Sequence, residues 1–184
     1  MISYGRHDIA EQDIQAVRQV LEGDWLTTGP IVNQFERALA ATAGCTRSVA
    51  VSSGTAALHT AYAAAGIGPG DEVITPPITF IATQACAIHL GATPVFADVR
   101  SDTATLDPAA VLASITSRTA AIVAVDYAGH PASLTDLRLI ADRHGLLLIE
   151  DASHSLGSRY HGQPVGSLAD LTTFSFFPTK NIAT

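Results

Sequence analysis

Short, almost unbroken apolar runs recur along this 184-residue chain, with helix-like segments between most of them. The runs are 48–53 (SVAVSS), 72–75 (EVIT), 94–98 (PVFAD), 120–126 (AAIVAVD), 146–150 (LLLIE) and 171–176 (LTTFSF). A strand without polar alternation must be covered on both faces, which is the condition of a parallel sheet with helices on each side. The segments 55–65, 79–90, 108–115 and 134–144 supply those helices, and the crossovers are right-handed. Another helix is expected over 8–21, with Ile14, Val17, Val20 and Leu21 on one face. Asp8 and Glu11 make its capping-box-like start, and Gly23 stops it. The fold expected is α/β: a doubly wound, mostly parallel sheet between two helical layers.

Composition narrows the function classes. Hydrophobic residues make up 47% and charged residues 15%, which suits a buried core and not a disordered chain. Ten Lys and Arg against 17 Asp and Glu leave a net charge of −7, so no basic face is available for nucleic acid. No apolar run reaches the length of about 18 residues that a spanning helix needs. The opening MISYGRHD has neither a basic nor an apolar signal region, so a cytoplasmic setting without membrane partners is expected. Cys45 and Cys86 lack C-x-x-C spacing, which argues against a disulfide scaffold or a thiolate metal site.

Ligands of such sheets bind at the carboxyl ends of the strands. Ser52–Leu58 (SSGTAAL) joins an apolar run to a helix through Gly54, which lets the backbone approach a ligand, and the free N–H groups of the helix start suit a phosphate. Taken alone, the segment also reads as an ordinary helix capped by Ser53 or Thr55. No P-loop or dinucleotide fingerprint is present; the glycines of Gly66–Gly70 follow a helix and read as a turn. Leu147–Asp151 ends in two acids. Alternation turns Asp151 toward one side and Glu150 toward the other. His154 three residues on invites a metal reading, but with no third candidate ligand nearby in sequence a hydrogen-bonded structural histidine is the better fit. Lys180 follows a strand and a Pro-Thr turn, where it is either a solvated loop lysine or one able to form Schiff bases. Together, a phosphate cradle, the aromatic Phe80, a strand-end acid and a strand-end lysine are what pyridoxal phosphate requires.

The sequence resembles the fold-type I aminotransferases of the DegT/StrS type, which act on nucleotide-linked keto-sugars. The resemblance runs from Tyr4-Gly5-Arg6 to Lys180 and is carried by GDWLTTGP (23–30), SSGTAALH (52–59), GPGDEVITPPITFIAT (68–83), GATPVFADV (91–99), IEDASHSLGS (149–158) and FSFFPTKN (174–181). Tyr4–Arg6, Asp24–Thr27, Val125–Gly129 and Ser153-His154 look most like the branch of pseudaminic acid synthesis. That branch aminates the C4 ketone of a UDP-linked 4-keto-6-deoxy-N-acetyl-hexosamine with L-glutamate, forming a UDP-4-amino-4,6-dideoxy-N-acetyl-altrosamine.

The resemblance implies the following roles. Lys180 carries the Schiff base and is the catalytic residue. Asp151 binds the pyridine nitrogen, Gly54, Thr55, Ala56 and Ser175 hold the phosphate, Phe80 stacks on the ring and His154 supports its edge. Tyr4, Asp24, Trp25, Leu26 and Thr27 line the sugar-nucleotide side, with Gly54 and Ser175 contributing. It also implies a homodimer, and a division into an N-terminal segment (1–30) and a cofactor-binding large domain (31–184). Members of the family continue past the lysine into an antiparallel strand and a small C-terminal domain, so the large domain is expected to be incomplete and the small one absent. The missing strand would lie between 171–176 and 48–53. The chain alone is therefore expected to be unstable or aggregation-prone and without turnover. A truncated or non-catalytic relative, and an aminotransferase for another nucleotide-linked keto-sugar, are the alternatives. A nicotinamide-dependent dehydrogenase is disfavoured by the absent G-x-G-x-x-G.

Overall fold

The computed structural model describes residues 8–183. Helix α1 (Glu11–Leu21) begins from Ala10, not Asp8. The Asp13 carboxylate accepts the Ala10 N–H at 2.8 Å, so the third helical residue satisfies the entry that Asp8 and Glu11 were expected to close. The apolar stripe forms, but Ile14, Val17 and Leu21 are exposed and no residue of α1 is buried. Helix α2 (Gly29–Ala43) was not foreseen and spans the expected boundary at 30/31. Its signals were in the sequence: Pro30 in the first turn, Val32, Phe35 and Leu39 at helical spacing, and Gly44 in the left-handed conformation after its end.

The remaining order is α3 (Gly54–Ala64), β1 (Glu72–Thr75), α4 (Ala82–His89), β2 (Thr93–Phe96), α5 (Pro108–Ser114), β3 (Thr119–Val125), α6 (Leu134–His144), β4 (Leu147–Asp151), the short hairpin β5 (Arg159–Tyr160) and β6 (Gln163–Pro164), and β7 (Leu171–Thr173). Five strands form one sheet in the order β2-β1-β3-β4-β7, and every pairing is parallel. The doubly wound α/β expectation is met.

Strand alternation divides the core in two. Val73, Ala121, Val123 and Ile149 meet Leu58 and Tyr62 of α3 and Cys86 of α4. Their neighbours Ile74, Ile122, Ala124 and Leu148 meet Val111 of α5 and Leu134 and Leu137 of α6. The same alternation sends Asp151 toward the α3/α4 side and Glu150 toward the other.

One expected strand is missing from the sheet. Residues 48–53 are extended but pair with no strand among the described residues. The Glu36 side chain of α2 takes over part of their backbone satisfaction, accepting the Ala50 N–H at 2.8 Å, while the Glu36 carbonyl accepts from the Ser48 hydroxyl. Val49 is 74% exposed. β7 also stops at Thr173 and pairs only with β4. Both segments border one cleft of about 1800 Å³. A ladder needs a neighbour, and the described chain places none between them.

Candidate functional site

The cleft is built where the elements end. α3 opens toward it at its N-terminus, Phe80 lies in the turn before α4, Asp151 closes β4, and Ser175 to Lys180 follow β7. Gly54, Thr55, Phe80, Asp151, His154, Ser175 and Lys180 all line it. Residues separated by more than a hundred positions are thus gathered at one rim.

Gly54 is present for space, not for a special backbone angle. A Cβ at this position would stand 3.0 Å from the Ser175 Cβ and 3.1 Å from its Oγ. Helix start and hydroxyl thus form one cradle. The Ser53 Oγ accepts the Ala56 N–H at 3.1 Å, so Ala56 is engaged in the cap and does not line the cleft. Gly54 and Thr55 supply the N–H groups that the first turn leaves without helical acceptors. The helix is therefore capped through Ala56, while the N–H groups of Gly54 and Thr55 stay open at the rim of the cleft.

Asp151 is 5% exposed and tied from both sides. Its Oδ1 accepts from the Ser153 hydroxyl at 2.6 Å and the Ser153 N–H at 3.2 Å, and its Oδ2 accepts from the Thr83 hydroxyl at 3.0 Å. From the sequence Ser153 was named only within a shared motif, and Thr83 was given no role at the site. A serine two residues after a strand-end acid was a signal for the first, while nothing local marked Thr83, whose partner is 68 residues away. Below the carboxylate, the buried Tyr62 hydroxyl donates to the Thr83 carbonyl at 2.9 Å, and burial pushes its phenol up.

Lys180 sits in a tight turn whose own N–H donates to the Phe177 carbonyl at 2.8 Å. The Asn181 amide donates to the Leu156 carbonyl at 3.2 Å and ties this turn to the loop after β4. His154 belongs to that loop. Burial, and then the positive charge of Lys180, hold its imidazole below the usual histidine range, against a smaller upward pull from Asp151. Phe80 is 71% exposed and lines the cleft. These groups offer an anion cradle, a buried carboxylate, an aromatic cover and a primary amine.

The expected substrate-side residues are not gathered in. Asp24, Trp25, Leu26 and Thr27 do not line the cleft, and Trp25 and Leu26 are more than 60% exposed. They follow α1, which buries nothing on the sheet, so no packing carries them to the rim. Tyr4 lies outside the described residues. Among the described residues, no helix is long and apolar enough to cross a membrane.

Comparison with known proteins agrees with this arrangement. The model of the DegT/DnrJ/EryC1/StrS aminotransferase family matches residues 7–184. The spore coat polysaccharide biosynthesis protein SpsC of Bacillus subtilis (strain 168) is 47% identical over 176 residues, which cover 96% of this chain and 45% of SpsC. The PLP-form structure of the putative sugar aminotransferase Spr1654 from Streptococcus pneumoniae superposes with a TM-score of 0.94 at 34% identity, over 99% of this chain and 50% of that one. PseC of Helicobacter pylori, an aminotransferase involved in the biosynthesis of pseudoaminic acid, gives 0.92 at 34% identity, over 98% and 49%. The chain spans about half the length of the relatives it matches.

Proposed function

The chain belongs to the DegT/DnrJ/EryC1/StrS aminotransferase family, and on that premise we propose that it binds pyridoxal phosphate and serves amino transfer from L-glutamate to a nucleotide-linked keto-sugar. The observation that carries this reading is the meeting of Asp151 and Lys180 in one cleft with the Gly54–Ser175 cradle. A cradle closed by a single Cβ suits a phosphate, and a buried carboxylate with a hydrogen-bonding place to spare suits a cationic ring N–H. The residues fit the cofactor.

When bound, pyridoxal phosphate would supply an aldehyde carbon that carries an amino group from one substrate to the next and a ring that withdraws electrons. Gly54 and Thr55 hold the phosphate through N–H groups at the positive end of α3, and Ser175 adds its hydroxyl. Asp151 would hold the ring nitrogen, and Phe80 would cover the ring and keep water from it. Lys180 Nζ would take the proton from the α-carbon of the amino donor in one half-reaction and give a proton to the sugar carbon in the other, so one base serves both directions. His154 stays neutral near pH 7 because its value is depressed, and it adds no second positive charge beside Lys180.

The acceptor we favour is the C4 ketone of a UDP-linked 4-keto-6-deoxy-N-acetyl-hexosamine. The motif pieces shared with pseudaminic acid synthesis and the likeness to PseC support it. The higher identity to a spore coat polysaccharide protein supports another nucleotide-linked keto-sugar as the second reading. A homodimer in the cytoplasm is the setting that accompanies the proposal.

Titration with pyridoxal phosphate is the test. We expect a new visible-violet absorbance band with the parent chain and none with Lys180→Ala. The same band in both proteins would refute the assignment of Lys180. Amino transfer from glutamate to UDP- and dTDP-linked 4-keto-sugars, compared side by side, separates the two acceptor readings.

A further inference from the structure

Asp151 carries its three hydrogen bonds in an uneven way. Two of them end on Oδ1, from Ser153, and one ends on Oδ2, from the Thr83 hydroxyl. A carboxylate offers about four acceptor places, two on each oxygen. The count leaves one open place, on Oδ2, beside the Thr83 hydrogen bond.

Thr83 itself is over-determined. It is fully buried at the start of α4, and its carbonyl accepts from the Tyr62 hydroxyl at 2.9 Å. Its Oγ1 also lies 2.9 Å from the Thr79 Oγ1. A hydroxyl has one hydrogen, and a carboxylate has none to give. The Thr83 hydrogen therefore goes to Asp151, and Thr79 donates to Thr83. The β-branched side chain has few rotamers on a helix, so it cannot easily turn away. A directed chain runs from Thr79 through Thr83 to Asp151 and ends at the oxygen with the vacant place.

We propose that Thr83 is a positioning residue: its hydroxyl fixes the Asp151 carboxylate so that the open place on Oδ2 receives the ring N–H of the bound cofactor. This rests on the pyridoxal phosphate reading above. Thr83 acts through Asp151 and touches neither substrate nor cofactor. Its contribution depends on a nitrogen being present in the ring. A purely structural threonine would support any ring of the same shape.

The test compares pyridoxal phosphate with its carbocyclic analogue, in which a C–H replaces the ring nitrogen. Dissociation constants are measured by absorbance and fluorescence titration for the parent chain, Thr83→Val, Thr83→Ala and Thr83→Ser, with far-ultraviolet circular dichroism confirming each fold. We expect Thr83→Val and Thr83→Ala to bind pyridoxal phosphate about tenfold more weakly, the scale of one hydrogen bond to a charged group. The same variants should bind the analogue as the parent does, within about twofold, and Thr83→Ser should restore parent affinity. Should Thr83→Val fail to fold, Thr83→Ala alone decides the comparison. An equal loss with both ligands, or no loss with either, overturns the inference and leaves the cofactor reading intact. A parent chain that binds neither ligand overturns the cofactor reading and this inference together.

Discussion

The buried carboxyls of Glu150 and Asp126 lie close enough on the side of the sheet opposite Asp151 for the charge of Asp126 to act on Glu150. Two buried carboxylates repel each other, and a proton on one of them relieves the repulsion. Asp126 already accepts from the Ala132 N–H at 3.0 Å and the Ser155 hydroxyl at 2.6 Å. Glu150 accepts at Oε2 from the Gly166 N–H and the Thr172 hydroxyl, and its buried Oε1 has no hydrogen-bond partner among the described residues. The proton therefore belongs on Glu150, where burial, and then the Asp126 charge, raise the carboxyl to about 8.

A raised value binds the proton more tightly in the folded state. The associated stability is fully present below the unfolded carboxyl value of about 4.5 and is lost as pH rises toward 8. His154 acts in the other direction: its depressed value contributes stability above about 6.5 that is lost as pH falls. We expect the melting temperature of the parent to fall by several degrees between pH 5 and about 8. Glu150→Gln, which keeps a donor toward Asp126, should flatten most of that fall. A parallel decline in both proteins would place the proton elsewhere.

The Gly54 contact gives a second expectation. A side chain there must push Ser175 aside, since even a Cβ stands 3.0 Å from it. Gly54→Val should weaken pyridoxal phosphate binding by about tenfold or more while the circular dichroism spectrum stays unchanged, because the backbone angle at this position suits any residue. Titration of the variant measures this.

His154 reports on Lys180. Removing the charge in Lys180→Met should move the imidazole titration upward in a proton NMR titration, since the charge of Lys180 contributes to its depression. A downward movement would mean that the two groups do not sense each other.

The unpaired 48–53 segment and the edge of β7 expose ladder groups beside an apolar cleft, which is a template for association. We expect the chain to aggregate in light-scattering measurements. Val49→Lys should slow this several-fold, because a charge at a 74% exposed position blocks added strands without touching the core.

These features differ in how far the sequence announced them. Parallel strands betray themselves by continuous apolar character, so β1 to β4 and their helices stood close to their expected places. α6 did so over 134–144, where Gly145 at a φ of 67° ends it. The strand-end rule then located Asp151, Lys180 and the cradle, because loop position follows from element order. What stayed hidden depends on neighbours. Residues 48–53 have strand composition, yet a strand exists only where another one pairs with it. Helix α2 was passed over because its first residues, Gly29 and Pro30, were read only as the end of the motif GDWLTTGP. Asp24 to Thr27 follow a helix whose stripe meets nothing in the described chain. Thr83 could not be seen because its partner is 68 residues away, on the far end of a different strand.

The central claim is that Lys180 is the attachment point for pyridoxal phosphate. Borohydride reduction of the chain loaded with pyridoxal phosphate, followed by proteolysis and mass spectrometry, reads that position directly. The account predicts a single phosphopyridoxyl adduct on the peptide containing Lys180; an adduct confined to another amine, or none at all, would contradict it.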